Sequence, residues 1–193
     1  YDFDAVYVAT PIGVHKKAIL EAVNNGKHVL CEKSIVPNYT DAEEIVLVGQ
    51  NAGVSVFEGF MYQFHDQQSE VRKIIDCGTI GDIFHYQAWF GFPPIKETDF
   101  RYNPQLGGGA LLDAGSYTVH SARHLFKAEP IKIFSVMEKE GRDVEVRGSV
   151  LLDFGKSRTA HLVFGFNNMY QNKFEIWGTI GLLSLNRAFA VPD

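Results

Sequence analysis

The sequence has little of several features that mark particular classes of protein. Only two cysteines occur in 193 residues, Cys31 and Cys77, and their separation matches no metal-binding or redox motif. Such low cysteine usage favours a reducing compartment, and we predict a cytoplasmic location. No apolar run approaches the ~20 residues that cross a bilayer, and the start shows no signal-peptide pattern. We therefore expect no membrane partner.

Positive charge is also scarce. The formal net charge is −5, and the longest basic cluster is Lys16-Lys17. Because nucleic-acid binding normally leaves a basic patch or stripe on the protein, we expect no nucleic-acid partner. The remaining composition, 46% hydrophobic and 21% charged, is typical of a globular protein.

The first part of the chain carries the pattern of a parallel α/β unit. Apolar segments of strand length alternate with segments of helical spacing: strands over residues 4–10, 28–32 and 54–58, and helices over about 14–25 and from Asn38 or Thr40 to about 51. This order requires a parallel sheet with right-handed crossovers. Three strands are half of a doubly wound dinucleotide-binding domain, and we assign a partial domain of this kind to residues 1–62.

The start of the chain suggests that this domain is incomplete. Tyr1 is not preceded by an initiator methionine, and the first strand begins almost at once. A complete dinucleotide-binding domain carries a glycine-rich phosphate loop and a ribose-selecting residue, and neither is found. We expect the chain to be truncated at its N terminus.

From residue 63 to 193 the pattern changes to that of an α+β domain. A short helix, a strand, a proline-rich aromatic loop and a second helix are followed by a run of strands: helix 67–77, strand 82–92, loop 93–106, helix 110–126, and strands 131–137, 145–154, 158–166, 173–177 and 182–186. Turns separate the last five strands, which predicts an antiparallel meander.

Two polar motifs stand at the ends of predicted parallel strands. Ala9-Thr10-Pro11, followed by His15, ends the first strand, and Cys31-Glu32-Lys33 ends the second. The carboxyl edge of a doubly wound sheet is where ligands bind, and Lys33 can donate there to a ribose hydroxyl or a substrate oxygen. Taken alone, the first motif is also explained by an ordinary strand-to-helix turn. The charged residues of the second motif are also explained as the point where a buried strand ends and the chain becomes exposed to solvent.

The third motif is a polar line on the helix that Gly107-Gly108-Gly109 opens. Asp113 and Tyr117 are four residues apart and therefore share a helix face, and His120 and His124 continue the line. Residues 107–126 include no lysine or glutamate, which favours a stripe facing a cleft at least as much as a solvated surface. The two histidines lack the glutamate of the zinc-helix motif and a third ligand, and we predict no metal site.

These motifs, in their order along the chain, resemble those of the glucose–fructose oxidoreductase/inositol dehydrogenase/MocA (Gfo/Idh/MocA) family. Three further segments match the family's pattern: Glu58-Gly-Phe-Met-Tyr62, Gly78-Thr-Ile-Gly-Asp82 and Trp177-Gly-Thr-Ile-Gly181. The resemblance implies a Rossmann domain, a second domain with an open, mainly antiparallel sheet that mediates homo-oligomers, and an active site between them. It also implies NAD or NADP as cofactor. Tyr117 in place of histidine resembles the glucose–fructose oxidoreductase and dihydrodiol dehydrogenase branch, which favours NADP.

The resemblance also assigns roles to individual residues. It implies catalytic roles for Lys33, Asp113 and Tyr117, and cofactor contacts at Ala9, Thr10, Pro11, His15, Glu32 and Lys33. We predict an oxidoreductase that transfers a hydride between nicotinamide and a carbinol or carbonyl carbon of a sugar, polyol or diol. In this hypothesis Tyr117 is the acid/base, and the Lys33 ammonium lowers its pKa from the ordinary value near ~10.

Three departures from the family's pattern leave alternatives open. Ser34 stands where the family usually has proline, Gln63 stands where it usually has arginine, and the C-terminal end is short by several elements. Since the phosphate loop is absent, one alternative is a catalytically silent module for assembly. Another is a sugar-binding protein that uses aromatic side chains, for which the candidates are Phe90, Phe92, Phe100 and Tyr102.

Overall fold

The computed structural model describes residues 2–190. The strands in this range are β1 (Ala5–Val8), β2 (His28–Glu32), β3 (Val56–Gly59), β4 (Ile83–Phe92), β5 (Lys132–Glu138), β6 (Arg147–Asp153), β7 (Thr159–Phe166), β8 (Gln171–Gly178) and β9 (Leu182–Asn186). The longer helices are α1 (His15–Asn24), α2 (Tyr39–Ala52), α3 (Asp66–Asp76) and α4 (Ser116–Phe126). The predicted α/β half followed by an α+β half is confirmed. Tyr1 and residues 191–193, the outer ends of the two predicted domains, lie outside the described residues, and the domain boundary stays a prediction.

The N-terminal sheet is parallel, with strand order β1-β2-β3. Helices α1 and α2 cover one face through buried residues such as Ile19, Val23 and Ile45. Asn38 begins α2, since its side chain accepts a hydrogen bond from the backbone N–H of Asp41, as expected of a capping residue. The strand register places the ends of β1 and β2 side by side, so the two predicted ligand-binding motifs share one edge.

The second sheet has six strands in the order β5-β6-β7-β4-β8-β9. Our prediction of a simple antiparallel meander is wrong here, because β4 lies between β7 and β8 and pairs with β7 in parallel. Alternating buried residues in β4, β7 and β8 form one core with α4, and the opposite face of the sheet carries exposed side chains such as Leu151 and Trp177. The hydrophobic alternation fixes which residues face the helices, but it carries no information on the order of the strands.

The helix predicted over residues 110–126 is not one uniform α-helix. Residues Leu111–Gly115 form a π-helical turn, and the α-helix starts at Ser116. π-Helical turns are rare and are frequent at functional sites. This turn contains Asp113, one of the predicted catalytic residues.

Neither cysteine forms a disulfide in the described part of the chain. Cys31 is buried in the N-terminal core and Cys77 is exposed. Burial raises the pKa of the Cys31 thiol to about 12, so this thiol stays protonated and unreactive at neutral pH. The cytoplasmic location inferred from cysteine content stays a prediction.

Over residues 2–190, no helix combines the length and the apolar character needed to cross a bilayer.

Candidate active site

A pocket of about 180 Å³ lies where the two halves of the chain meet. It is lined by residues from both: Ala9, Thr10, Ile12, Glu32 and Lys33 from the N-terminal half, and Phe100, Arg101 and Asp113 from the C-terminal half. Five of the predicted site residues are therefore brought together at the carboxyl ends of β1 and β2. The halves touch closely beside the pocket, because a Cβ on Gly13 would lie 2.5 Å from the carbonyl oxygen of Gln105.

Lys33 is held in this pocket by two oxygens of Asp113. Its Nζ lies 2.7 Å from Asp113 Oδ1 and 2.8 Å from the backbone carbonyl oxygen of the same residue. Each of the two side chains is only 12% exposed, so the ion pair is poorly screened by solvent. The second contact uses a carbonyl of the π-helical turn. One ammonium proton is left for a ligand, since a lysine has three.

Arg101 is the functional candidate that the sequence did not reveal. Its Nε donates to Asp113 Oδ2 at 2.8 Å, and its Nη1 lies 3.2 Å from Asp99 Oδ1. The carboxylate of Asp113 therefore bridges two cations, Lys33 on one oxygen and Arg101 on the other. The only signal in the sequence was that Arg101 follows closely after Asp99 in a loop without helical or strand periodicity. Nothing in that pattern predicts a contact with the residues that follow β2.

Tyr117 lies directly beneath Lys33. The Lys33 ammonium is 5.1 Å from the centre of the tyrosine ring, within the range of a cation–π contact. Among residues 2–190, the hydroxyl donates only to the thioether of Met61 at 3.5 Å, which is a weak acceptor. The ring is buried against Phe60 and Phe90. The tyrosine hydroxyl therefore has most of its hydrogen-bonding capacity free.

The electrostatics of Tyr117 differ from the sequence-based hypothesis. The pKa of Tyr117 is raised, first by burial and then by the negative charges of Glu32 and Asp113, while Arg101 opposes the rise. We expected Lys33 to lower this pKa, but Lys33 lies over the ring face and its charge is directed to Asp113. The phenol therefore stays protonated at neutral pH.

His15 and Pro11 occupy supporting positions around the pocket. The His15 ring is fully buried. One ring nitrogen lies 2.6 Å from the carbonyl oxygen of Thr10 and the other 3.1 Å from that of Ser34. The ring thus joins the loops after β1 and β2 from beneath, and Pro11 precedes a short 3₁₀ turn. Their contacts with a cofactor stay predictions, and for His15 the buried position favours an indirect role.

Ser34 makes a contact between the halves that proline could not make. Its side chain is buried, and its hydroxyl donates to the carbonyl oxygen of Leu112 at 3.0 Å. Leu112 and Asp113 belong to the same π-helical turn. Two successive carbonyls of that turn therefore accept hydrogen bonds from two successive residues, Lys33 and Ser34.

The polar line predicted on the second helix runs from the pocket to the surface. Asp113 is half-buried, Tyr117 is buried, and His120 is half-buried beside the Tyr62 hydroxyl at 2.7 Å. His124 is exposed and stacks on His120. Burial lowers the pKa of His120 to about 4. Within residues 2–190, no group of three or more histidine, cysteine, aspartate or glutamate side chains has a metal-binding arrangement.

Most of the aromatic residues considered for sugar binding pack inside the protein. Phe90 contacts Tyr117, and Phe92 and Tyr102 both contact Phe166. Phe100 alone among the four candidates lines the pocket. The aromatic residues therefore build the wall behind the site and contribute one side chain to its surface.

Comparison with known families places the chain. Residues 1–60 match the sequence profile of the oxidoreductase family with an NAD-binding Rossmann fold, and residues 69–184 match that of the GFO/IDH/MocA C-terminal domain. The chain belongs to the GFO/IDH/MocA family. The resemblance found in the sequence motifs is confirmed.

Similar proteins cover nearly the whole chain. The dTDP-3,4-didehydro-2,6-dideoxy-alpha-D-glucose 3-reductase of Saccharopolyspora spinosa is 37% identical over 193 residues, a stretch that includes 99% of this chain and 58% of that protein. The D-xylose 1-dehydrogenase (NADP(+)) 2 of Haloferax volcanii is 31% identical and matches 97% of this chain and 58% of that protein. The chain therefore spans somewhat more than half the length of the relatives it matches.

Solved structures give the same picture of the fold. One is KijD10, a 3-ketoreductase from Actinomadura kijaniata, solved in complex with TDP-benzene and NADP as a variant with a tyrosine replaced by phenylalanine. It superposes with a TM-score of 0.93 at 38% identity, and the match includes 99% of this chain and 59% of KijD10. An aldose-aldose oxidoreductase from Caulobacter crescentus, complexed with glycerol, gives a TM-score of 0.93 at 28% identity, covering 98% and 58%.

Proposed function

We propose that the intact protein is an NADP-dependent oxidoreductase that reduces a carbonyl group of a sugar to a carbinol, or catalyses the reverse reaction. The observation that carries this proposal is the cluster of Lys33, Asp113 and Tyr117: the first two line the pocket at the carboxyl ends of parallel strands, and the Tyr117 ring lies 5.1 Å from the Lys33 ammonium. An ammonium fixed by a carboxylate, above a tyrosine with a free hydroxyl, supplies the proton donors that a carbonyl reduction needs.

The residues at the strand ends fit a nicotinamide cofactor. Ala9 and Thr10 place a small side chain and a hydroxyl on the pocket wall, and Lys33 adds a cationic donor next to them. These are suitable neighbours for a ribose and a carboxamide, which need donors, acceptors and close backbone approach. When bound there, the cofactor supplies the hydride. NADP is favoured because KijD10 and its variants were solved with NADP.

Tyr117 fits the role of proton donor in the reductive direction. Because its pKa is raised, the phenol remains protonated at neutral pH and can give its proton to the oxygen of the reduced carbonyl. Lys33 lies beside it with one proton free and stabilises negative charge developing on the same oxygen. Asp113 keeps the ammonium in place. The raised pKa supports the acid half of the acid/base role expected of Tyr117 from sequence.

A ketosugar attached to a nucleotide is the substrate class to test first. Four relatives at 35–38% identity are named as reductases of a dTDP-linked 3-ketosugar. KijD10 was also solved as variants in which a particular lysine or a particular tyrosine is replaced. These two residues of KijD10 lie 84 positions apart, as do Lys33 and Tyr117 in this chain. This agreement supports the assignment of both residues to the reacting centre.

Cofactor binding and turnover test the proposal in two steps. The intact protein is titrated with NADPH and NADH while nicotinamide fluorescence is followed, and NADPH consumption is then measured with nucleotide-linked ketosugars and free aldoses. Saturable binding that is weakened in Lys33→Ala, with turnover of a sugar, is the expected result. Absence of binding at millimolar cofactor would contradict it and would favour the silent assembly module.

We also propose that the protein forms homo-oligomers through the open face of the six-stranded sheet. Several large apolar side chains are exposed on this face: Phe134, Val136, Leu151, Trp177 and Leu182. Phe134 lies opposite Leu151, and Trp177 lies opposite Leu182, so the apolar residues form cross-strand pairs. Large apolar patches of this kind mark interaction surfaces more often than free surface.

A further inference from the structure

We infer that Arg101 is a positioning residue for the reacting centre, acting on Lys33 and Tyr117 through the shared carboxylate of Asp113. This inference rests on the proposed function and extends it to a residue of the loop over the pocket. It assigns the loop 93–106 a role in the reaction in addition to covering the site.

The geometry makes Asp113 the common partner of two cations. Its Oδ1 accepts from Lys33 at 2.7 Å and its Oδ2 accepts from Arg101 at 2.8 Å. Without Arg101, the second oxygen would be free to turn toward the ammonium, since nothing else among the described contacts of that oxygen holds it. The orientation of the carboxylate, and with it the position of Lys33, therefore depends on the arginine.

Arg101 is itself fixed, which a positioning residue requires. Asp99 accepts from the Arg101 backbone N–H at 2.9 Å and from its Nη1 at 3.2 Å, and the guanidinium lies over the Phe100 ring at 4.8 Å. The order of charges from the strand end to the loop is Lys33, Asp113, Arg101, Asp99. The charges alternate in sign along this chain, so each carboxylate is neutralised within the pocket.

This alternation controls the electrostatic environment of Tyr117. The charged groups that face Tyr117 are Lys33 over its ring, Glu32 and Asp113 as negative neighbours, and Arg101 as a positive one; Tyr62, from the preceding segment, is a neutral titratable neighbour. Removing the Arg101 charge leaves Asp113 less balanced and raises the pKa of Tyr117 further.

The test compares Arg101→Gln and Arg101→Lys with Arg142→Gln in the intact protein. Arg142 is a matched control because it anchors the same loop from outside the pocket, through Glu97 and the Tyr102 ring, without touching Asp113. In the oxidative direction log kcat rises with pH while Tyr117 is being deprotonated. We expect Arg101→Gln to lower the oxidative rate about tenfold at each pH on this limb, with the KM for NADP nearly unchanged.

The control and the conservative variant separate positioning from simple loop anchoring. Arg101→Lys keeps the charge and should recover part of the lost rate, but not all of it because lysine lacks the guanidinium fork. Arg142→Gln should leave the oxidative rate and the KM for NADP unchanged. An undiminished oxidative rate in Arg101→Gln, or an equal loss in Arg142→Gln, would overturn the inference.

A crystal structure of Arg101→Gln without cofactor provides a measurement that needs no activity. We expect Asp113 Oδ2 to turn away from the loop and Lys33 Nζ to be displaced with it. If Lys33 keeps its position in that structure, the inference fails even if the protein is an active reductase. If the wild-type protein reduces no sugar but Lys33 moves in the variant, the proposed function fails while the positioning role stands.

Discussion

Lys33 and Asp113 are 80 positions apart in the sequence, and the lysine Nζ lies 2.7 Å from the aspartate Oδ1. The pair connects the end of a parallel strand in one half of the chain with a π-helical turn in the other. Removal of one partner from a buried pair is costly, since it leaves the other charge without compensation. Here Arg101 remains on Asp113, so loss of Lys33 should harm the reaction more than the fold.

Replacement of the lysine tests this difference. We expect Lys33→Met in the intact protein to lower kcat about 10²–10³-fold, because a fixed donor next to the reacting oxygen is lost. The free energy of unfolding should fall by only about 1–2 kcal/mol, since Asp113 retains one cation. Steady-state kinetics and urea denaturation measure the two effects.

A second lysine provides the control for this experiment. Lys16 pairs with Asp41 and Glu44 on the surface of the N-terminal half, away from the pocket. Lys16→Met should leave kcat unchanged. A loss of activity in Lys16→Met equal to that in Lys33→Met would show that charge removal in general, rather than the position of Lys33, affects the enzyme.

Loss of the tyrosine hydroxyl should be nearly as severe. We expect Tyr117→Phe to reduce kcat about 10²–10⁴-fold, the usual contribution of a positioned proton donor. The structure of the pocket should persist, because the ring still packs on Phe60 and Phe90. Tyr62→Phe is the matched control: its hydroxyl is hydrogen-bonded to His120, and the rate of this variant should stay near that of the wild type. An undiminished rate in Tyr117→Phe would remove this residue from the mechanism.

The pH dependence of the wild-type protein follows from the raised pKa of Tyr117. A phenol with a raised pKa stays protonated as pH increases, so the reductive rate should not decline through loss of its proton below about pH 10. The oxidative rate needs the deprotonated phenol and should keep rising over the same range. Stopped-flow measurement of hydride transfer in both directions checks the signs, and a reductive rate that falls with an apparent pKa near 7 would point to a different acid.

The motifs at the strand ends were predictable from sequence because their positions follow from simple periodicity. An apolar run followed by Thr10 or by Lys33 places polar residues at the carboxyl edge of a parallel sheet. The pairing of β1 with β2 then brings the two motifs together without further information. Asp113 and Tyr117 were found in the same way, from their spacing on a helix that carries no lysine or glutamate.

Features that depend on long-range packing could not be obtained in this way. The insertion of β4 between β7 and β8 leaves no mark on the alternation of any strand, and the meander prediction failed for that reason. Arg101 lies in a single 3₁₀ turn, Phe100–Tyr102, which is too short to show a period that would connect it with Asp113. The protonation behaviour of Tyr117 depends on burial and on the direction in which Lys33 points, and both are properties of the folded chain.

Ser34 should contribute to the junction between the two halves. Its hydroxyl donates to the Leu112 carbonyl in a buried position, so Ser34→Ala leaves that carbonyl without this donor and should destabilise the protein by about 1 kcal/mol. Because Lys33 adjoins Ser34, we also expect a severalfold loss in kcat. The exposed Ser69 in α3 serves as control, and Ser69→Ala should change neither quantity. Equal stability of Ser34→Ala and wild type in urea would show that the contact contributes nothing.

The open sheet face leads to a prediction about self-association. Leu151 lies on that face, 47% exposed and opposite the exposed Phe134, so Leu151→Arg places a charge within the apolar cluster of β5 and β6. Burying an unpaired charge is strongly unfavourable, and the variant should elute as a monomer in size-exclusion chromatography with light scattering, while the wild type forms a dimer or larger assembly.

Leu47→Arg places the same charge on α2 at a site 57% exposed and should leave the mass unchanged. Because the pocket lies on the other side of the sheet, the monomeric variant should retain cofactor binding. A wild type that is monomeric at micromolar concentration, or a Leu151→Arg variant that remains assembled, would contradict the role of this face.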